Sequence, residues 1–460
     1  MKKRMPWLLA AALAAAAPAS AQQAPTAYDR AIAAGYKALT MCSGLFNAGR
    51  EQAQIEATEL NGIYPEYDAL VPTLASEVDA GRKMVAVPFD DALPPRIAAW
   101  RPNLGCVQLP IGAGADALAA LPRFDAAAPA LDREPWPLGD KDASARPTGD
   151  RKRLRQSVDA AFDGASHGEA NLTTGVIVVQ RGRIIAEKYR QGFGPHVSQR
   201  TWSVAKSIAG TVVGVAVGEG LIDPAQPAPV PQWQTPGDPR AAITTDQLLR
   251  MASGLHSSTA GNRTDALYFG GAAVSEETVA WPLEAPPGTR FRYANNDIVL
   301  AMLGLRTRAG DDARALAFPF AALLWKIGMT RTVPETDWKG NYVMSSQVWT
   351  TARDLARFGL LYQQDGVFLG ERILPQGWAK YVATPSGPQP GGDFGYGATF
   401  WLMNNSPGVP ADTYAAFGNR GQYVVIVPGQ EIVIVRRGED PSGKRFDIAK
   451  FTADVLAALR

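Results

Sequence analysis

Between Ser207 and Val217 the chain carries an unbroken run of small and apolar residues, Ser-Ile-Ala-Gly-Thr-Val-Val-Gly-Val-Ala-Val. A helix of this composition has no face suited to water, so the fold must surround it on all sides. Thr201-Trp202-Ser203-Val204-Ala205-Lys206 leads into the run, and a spacing of three puts Ser203 and Lys206 on one face of the first turn. Ser203 there sits near the positive end of the helix, where N–H groups without intrahelical partners favour negative charge on a bound oxyanion. A serine hydroxyl is a weak nucleophile until a neighbour takes its proton. A lysine desolvated among Ala, Val and Ile can lose its charge and become that base, so Ser-Lys is a known alternative to Ser-His. The spacing alone is undemanding. What singles out this pair is its place at the head of a buried helix, where a lysine has no other evident purpose.

With 460 residues, 46% hydrophobic and 20% charged, the chain has ample material for two or three globular units. Met1 to Ala21 has a basic start at Lys2, Lys3 and Arg4, an apolar stretch from Trp7 to Ala17, and Ala19-Ser20-Ala21 as a small-residue cleavage site. This pattern predicts a secretory signal peptide and a periplasmic or secreted protein; the apolar stretch falls well short of the ~20 residues a membrane span needs. Removal of the leader takes the formal charge from +2 to −1, which gives no electrostatic reason to expect nucleic acid or an anionic membrane as partner. The cysteines are Cys42 and Cys106. Export favours a disulfide between them, two buried free thiols being the alternative. The three histidines, His167, His196 and His256, form no pair at metal-ligand spacing, so neither a metal nor another cofactor is expected.

Taken in order, apolar positions from Tyr28 to Leu45 predict an amphipathic helix, followed by short strands at Met84 to Val87 and Cys106 to Leu109. Residues 22–111 form a small accessory region, and 112–150, rich in Ala, Pro, Asp and Gly, a linker or extended wrap. The main domain, 151–460, opens with a helix. Gly164-Ala165-Ser166-His167-Gly168 matches the G-x-S-x-G nucleophile elbow, but a helical pattern precedes it and the strand Gly175 to Gln180 follows. An elbow needs the reverse order, so Ser166 is read as a loop residue. Strand signals at Val176 to Val179 and Ile184 to Glu187 flank an Arg181-Gly182 turn. Thr244 to Gln247 caps a helix Gln247 to Ala252 that stops at Gly254. Helical segments through Leu305, Phe318 to Ile327 and Thr351 to Leu361 suggest an all-helical subdomain, and the loops 221–240 and 268–283 are expected to shape a pocket. Strands return at Ala398 to Met403, Gln422 to Val427 and Ile432 to Arg437 before a closing helix from Phe446 to Leu459. The order predicts an α+β fold: an antiparallel sheet joining both ends of the main domain, flanked by helices, plus a mostly helical subdomain.

Three motifs stand in one order: Ser203-Val204-Ala205-Lys206, Tyr293-Ala294-Asn295 and Asn419-Arg420-Gly421. In these motifs, and over about Arg155 to Arg460, the chain resembles the serine β-lactamase and penicillin-binding superfamily. It is most similar to the class C-like branch, with related esterases and 6-aminohexanoate-dimer hydrolases. The resemblance implies Ser203 as acylated nucleophile, Lys206 as holder of its proton, and Tyr293 as a proton relay whose pKa Lys206 would lower. Asn295 would orient Lys206 and the substrate carbonyl group. In the family's third motif a strand carries Lys, His or Trp, then a small residue, then Gly. Here Asn419 removes the cation, Gly421 lets substrate approach, and the N–H groups of Ser203 and Gln422 would be oxyanion donors, each worth about 2.7 to 4 kcal/mol. Arg420 either supplies charge for a carboxylate or points to solvent. The reading that follows is an exported serine hydrolase forming a Ser203 acyl-enzyme on a small ester, amide or lactam. The rivals are a true β-lactamase or D-alanyl carboxypeptidase, and a non-catalytic ligand- or peptidoglycan-binding module. Oligomeric state is left open.

Overall fold

The computed structural model describes residues 24–257 and 264–460. The leader read at residues 1–21 lies outside them. The accessory region begins with a helix, Ala27–Phe46, closed at its start by a capping box in which Thr26 and Asp29 bond reciprocally. It lies on a four-stranded antiparallel sheet of Glu77–Asp79, Met84–Val87, Arg96–Arg101 and Gly105–Gln108. Cys42 on the helix is joined to Cys106 on the last strand. The strand Arg96–Arg101 is hidden in the sequence by its terminal arginines, both of which are buried; Arg96 donates to the carbonyls of Leu109, Phe269 and Gly270.

Residues 112–150 form a wrap rather than a free linker. The Trp136 indole donates to the Gly182 carbonyl at 2.8 Å, Ala145 N–H to Ile184 O, and Arg357 donates to the Pro137 and Gly139 carbonyls. Among the described residues, a seven-stranded antiparallel sheet then runs in the spatial order 395–396, 401–402, 414–418, 422–427, 432–438, 173–180 and 183–189. The hairpin 173–189 pairs with the last long strand, Ile434 opposite Val178, so both ends of the main domain close one sheet, as the sequence order predicts. Period-2 alternation divides its faces. Ile177, Val179, Val433 and Val435 pack toward the Val204–Gly218 and Ala352–Gln363 helices, while Val176, Val178, Val425 and Ile434 pack toward the terminal helices Arg151–Ala160 and Ile448–Leu459.

Four local expectations are corrected. The stretch 398–403 is not one strand but the turn and second arm of a hairpin, Gly395–Tyr396 with Trp401–Leu402. Thr399 takes φ +63°, its N–H bonds Leu249 O, and its carbonyl accepts from the Ser207 hydroxyl at 2.6 Å. Tertiary anchoring onto two helices outweighs the local strand pattern. Tyr414–Gly418 is an additional strand. The helix expected at 247–252 is Thr245–Leu249, its Thr244–Gln247 capping box as expected but its end set earlier by Met251 at φ +59°. The helix-rich block is not strand-free, because Gln199–Arg200, Val333–Pro334 and Val348–Thr350 form a small sheet at its edge. Among the described residues no helix is long and apolar enough to cross a membrane.

Candidate active site

The small sheet delivers the chain to the site. Arg200 pairs with Trp349, Thr201 N–H donates to Val348 O at 2.8 Å, and three residues later the helix Val204–Gly218 begins. Its residues 204–216 are all buried, as the apolar run predicts. The turn between strand and helix is made by Trp202 at φ +50°, a left-handed conformation that costs a bulky residue of order 1–3 kcal/mol. The surroundings hold it there: the Arg200 guanidinium stacks 3.9 Å from the indole ring centre, and Ala205 N–H donates to Trp202 O. This strained turn lifts Ser203, half-buried, to the head of the helix. Ser166, by contrast, is exposed in the loop between a helix and a strand and bonds Asp163.

Lys206 is 1% exposed, and its amine reaches three oxygens: Ser203 Oγ at 3.0 Å, Asn295 Oδ1 at 2.6 Å and the Ser345 carbonyl at 2.9 Å. Burial first, then the Arg200 guanidinium, pull its pKa down to about 7, with Asp297 acting in the opposite sense. The amine also stands 4.9 Å from the centre of the Tyr293 ring. The chain thus brings Ser203, Lys206, Tyr293 and Asn295 together. The expectation that Lys206 lowers the Tyr293 pKa fails: burial pushes that phenol up to about 12, against the pull of Ser203 and Trp401. Tyr293 therefore keeps its proton in the resting site, and Lys206 is the group poised to give one up. Asp297, two residues past Asn295, escaped the sequence reading; it is buried, accepts from Ser253 Oγ at 2.8 Å, and its carboxyl is pushed up to about 7 by burial.

The third motif is placed differently from the expectation. Asn419-Arg420-Gly421 is not on a strand but is the turn of the hairpin joining Tyr414–Gly418 to Gln422–Val427. Gln422 is buried beyond that turn, its side chain donating to Arg420 O and accepting from Arg437, and it does not line the cavity at Ser203. A Cβ on Gly421 would strike Arg436 and Asp440 rather than a substrate. The close approach occurs at Gly418, where a Cβ would lie 2.3 Å from Thr201 O and 3.2 Å from Ser203 N. Arg420 does not point to solvent: it is buried, at φ +55°, at the cavity wall, and its guanidinium bonds Glu59 Oε2 at 3.1 Å and the carbonyls of Glu439 and Asp440.

A cavity of about 700 Å³ opens over Ser203, with Tyr293, Asn295, Gly418 and Asn419 in its lining. Aromatic rings form part of its walls, among them Trp202, Tyr268, Trp401 and Phe417. Of the two loops expected to shape the pocket, only Tyr268, the last residue of the helix Asp265–Tyr268, reaches the cavity; among the described residues none from 269–283 or 221–240 does. Cationic charge enters from Lys444 and Arg445, exposed residues that follow the Pro441-Ser442-Gly443 turn and were not anticipated. Among the described residues no group of three or more His, Cys, Asp or Glu side chains is placed to hold a metal ion.

A family model described as Beta-lactamase matches residues 158–458. The chain belongs to the β-lactamase family. A 6-aminohexanoate-dimer hydrolase from Paenarthrobacter ureafaciens is 30% identical over 301 residues, covering 59% of this chain and 74% of that relative. A solved Bacillus anthracis structure, provisionally assigned as a 6-aminohexanoate-dimer hydrolase, gives a TM-score of 0.53 at 22% identity, covering 74% of this chain and 87% of the other. A class C β-lactamase gives 0.52 at 14% identity, over 67% and 96%. These two structures support the mixed helix and antiparallel-sheet fold. The family match begins at residue 158, yet the cavity of this β-lactamase-family chain does not, because Ile63, Tyr64 and Pro65 from the accessory region also line it.

Proposed function

We propose that the protein is an exported serine hydrolase that cleaves an ester or amide bond through an acyl-enzyme on Ser203. The observation that carries this reading is the set of acceptors around the Lys206 amine. Asn295 Oδ1 and the Ser345 carbonyl can only accept hydrogen bonds. A neutral amine gives its two hydrogens to them and is left with its lone pair facing Ser203 Oγ at 3.0 Å. That is the arrangement a general base for serine requires.

In this reading Ser203 Oγ attacks the carbonyl carbon while its proton passes to Lys206 Nζ. Negative charge gathers on the carbonyl oxygen beside the N–H groups of Ser203 and Asn419; the latter follows Gly418, whose backbone abuts Ser203, and replaces Gln422 in that role. As the bond to the leaving group breaks, that group takes a proton from Tyr293, which recovers one from Lys206. Water then attacks the acyl carbon, its proton going to Lys206 and on to Ser203 Oγ as the acid departs. Membership in the family and a relative named as a hydrolase support hydrolysis as the reaction. The Cys42–Cys106 disulfide supports an oxidising compartment.

The test is covalent labelling with a fluorophosphonate probe. Wild-type protein takes the label and Ser203→Ala does not. A wild type that remains unlabelled, or a variant labelled equally well, overturns the assignment.

A further inference from the structure

Two features of the accessory region converge on the cleft, and both meet it beside a turn of the main domain. Glu59, 4% exposed, accepts from Arg420 at 3.1 Å and from Arg50 at 3.0 Å, and Arg50 continues to Glu439 at 2.8 Å. Arg420 is the central residue of the 419–421 turn and is held in the left-handed region, a conformation that persists only where its surroundings fix it. Four to six residues after Glu59 the same segment lines the cavity, and the Tyr64 ring lies 6.3 Å from that of Trp202, the residue preceding the nucleophile.

We infer that Glu59 is a positioning residue for the hydrolytic centre: by gripping Arg420 it fixes the Asn419–Gly421 turn against the head of the Ser203 helix. The inference rests on the acyl-enzyme reading above. Its physical basis is that the other guanidinium bonds of Arg420 go to carbonyls of Glu439 and Asp440, which satisfy donors but carry no full charge. The carboxylate of Glu59 is the counter-ion in direct contact. Burial alone would push that carboxyl up, but Arg420, then Arg50 and Arg200, hold it below its usual range, so it is ionised and available for the pair. With the charge removed, Arg420 keeps weaker partners in a low-dielectric interior, and the strained turn loses the contact that sets its distance from Ser203. The turn bears Asn419, so displacement of oxyanion stabilisation follows, with substrate binding largely unchanged.

The experiment uses the full chain and four variants, Glu59→Gln, Glu59→Asp, Arg420→Gln and the Glu59→Gln/Arg420→Gln pair, each checked by melting temperature. Readouts are the fluorophosphonate labelling rate and the separate kcat and KM for a p-nitrophenyl ester. Glu59→Gln should lower kcat and the labelling rate about tenfold or more while KM stays within about twofold. Glu59→Asp should recover part of the loss, and the double variant should be no slower than the slower single. Should Glu59→Gln fail to fold, Glu59→Asp and Arg420→Gln carry the test, and wild-type rates in both overturn the inference. So does a folded Glu59→Gln that labels as fast as wild type, or a double variant whose losses add. A wild type that takes no label overturns the serine-hydrolase reading and this inference with it; a labelled wild type with an equally fast Glu59→Gln overturns this inference alone.

Discussion

Two charges act on Lys206 in opposite senses: the like-charged Arg200 guanidinium depresses its pKa, and the Asp297 carboxylate raises it. The mechanism proposed above needs the neutral amine, whose fraction grows as pH rises through about 7. The expected outcome is a kcat/KM that climbs roughly tenfold per pH unit below that value and levels above it. Asp297, its own carboxyl pushed up to about 7, is charged only toward the top of this limb, so Asp297→Asn should move the limb to lower pH by a small amount; a limb that moves upward, or no limb at all, contradicts the assignment of Lys206 as base. The Ser203–Lys206 pair was legible because three residues of one helix turn fix its geometry without help from the rest of the chain. Tyr293 and Asn295 were found by their spacing of two. The protonation of Tyr293 was not, because it is set by burial, which is written nowhere in a local motif. The sequence put Gln422 beside the nucleophile, where the structure has Gly418 and Asn419, because a three-residue hairpin turn with Arg420 at positive φ looks, in sequence, like the end of a strand.

At the scale of elements, the buried carboxyl of Glu335, just past the short strand Val333–Pro334, ties the main domain to the accessory helix. Its Oε1 accepts from Ser43 Oγ at 2.6 Å, Asn47 Nδ2 at 2.8 Å and Cys106 N at 3.1 Å, and burial pushes its pKa up to about 7. The folded protein therefore holds this proton more tightly than the unfolded chain. The stabilisation is fully present below the unfolded value of 4.5 and is lost as pH rises to about 7. Glu335→Gln keeps the Oε1 acceptor and never ionises. Relative to wild type it should gain up to about 3 kcal/mol between pH 4 and pH 8, read from denaturant midpoints at both. Helices and core strands of this fold were legible where periodicity was strong, as in Ala27–Phe46, Val204–Gly218 and Ile432–Gly438. Tyr414–Gly418 was not: two alanines and a glycine have little strand preference, and it is pairing with Trp401–Leu402 and Gln422–Val427 that makes it extended.

For the molecule as a whole, the Cys42–Cys106 bond closes a loop with a sequence separation of 64, for which loop entropy predicts a stabilisation of about 4 kcal/mol. Reduction should lower the unfolding midpoint accordingly, and a midpoint unchanged by reductant would show that the accessory sheet is held without its staple. The sequence revealed an accessory region and the cysteine pair. It could not reveal that this region forms part of the cleft, since Glu59 and Arg420 stand 361 positions apart and only the finished fold brings them together. One practical result follows from that shared ionic network. A gene shortened to the stretch resembling other family members would encode a protein whose Arg420 and Glu439 had lost Glu59 and Arg50, the ions that pair them in the full chain. A minimal version would therefore call for redesign at both positions, with uncharged side chains as the first choice.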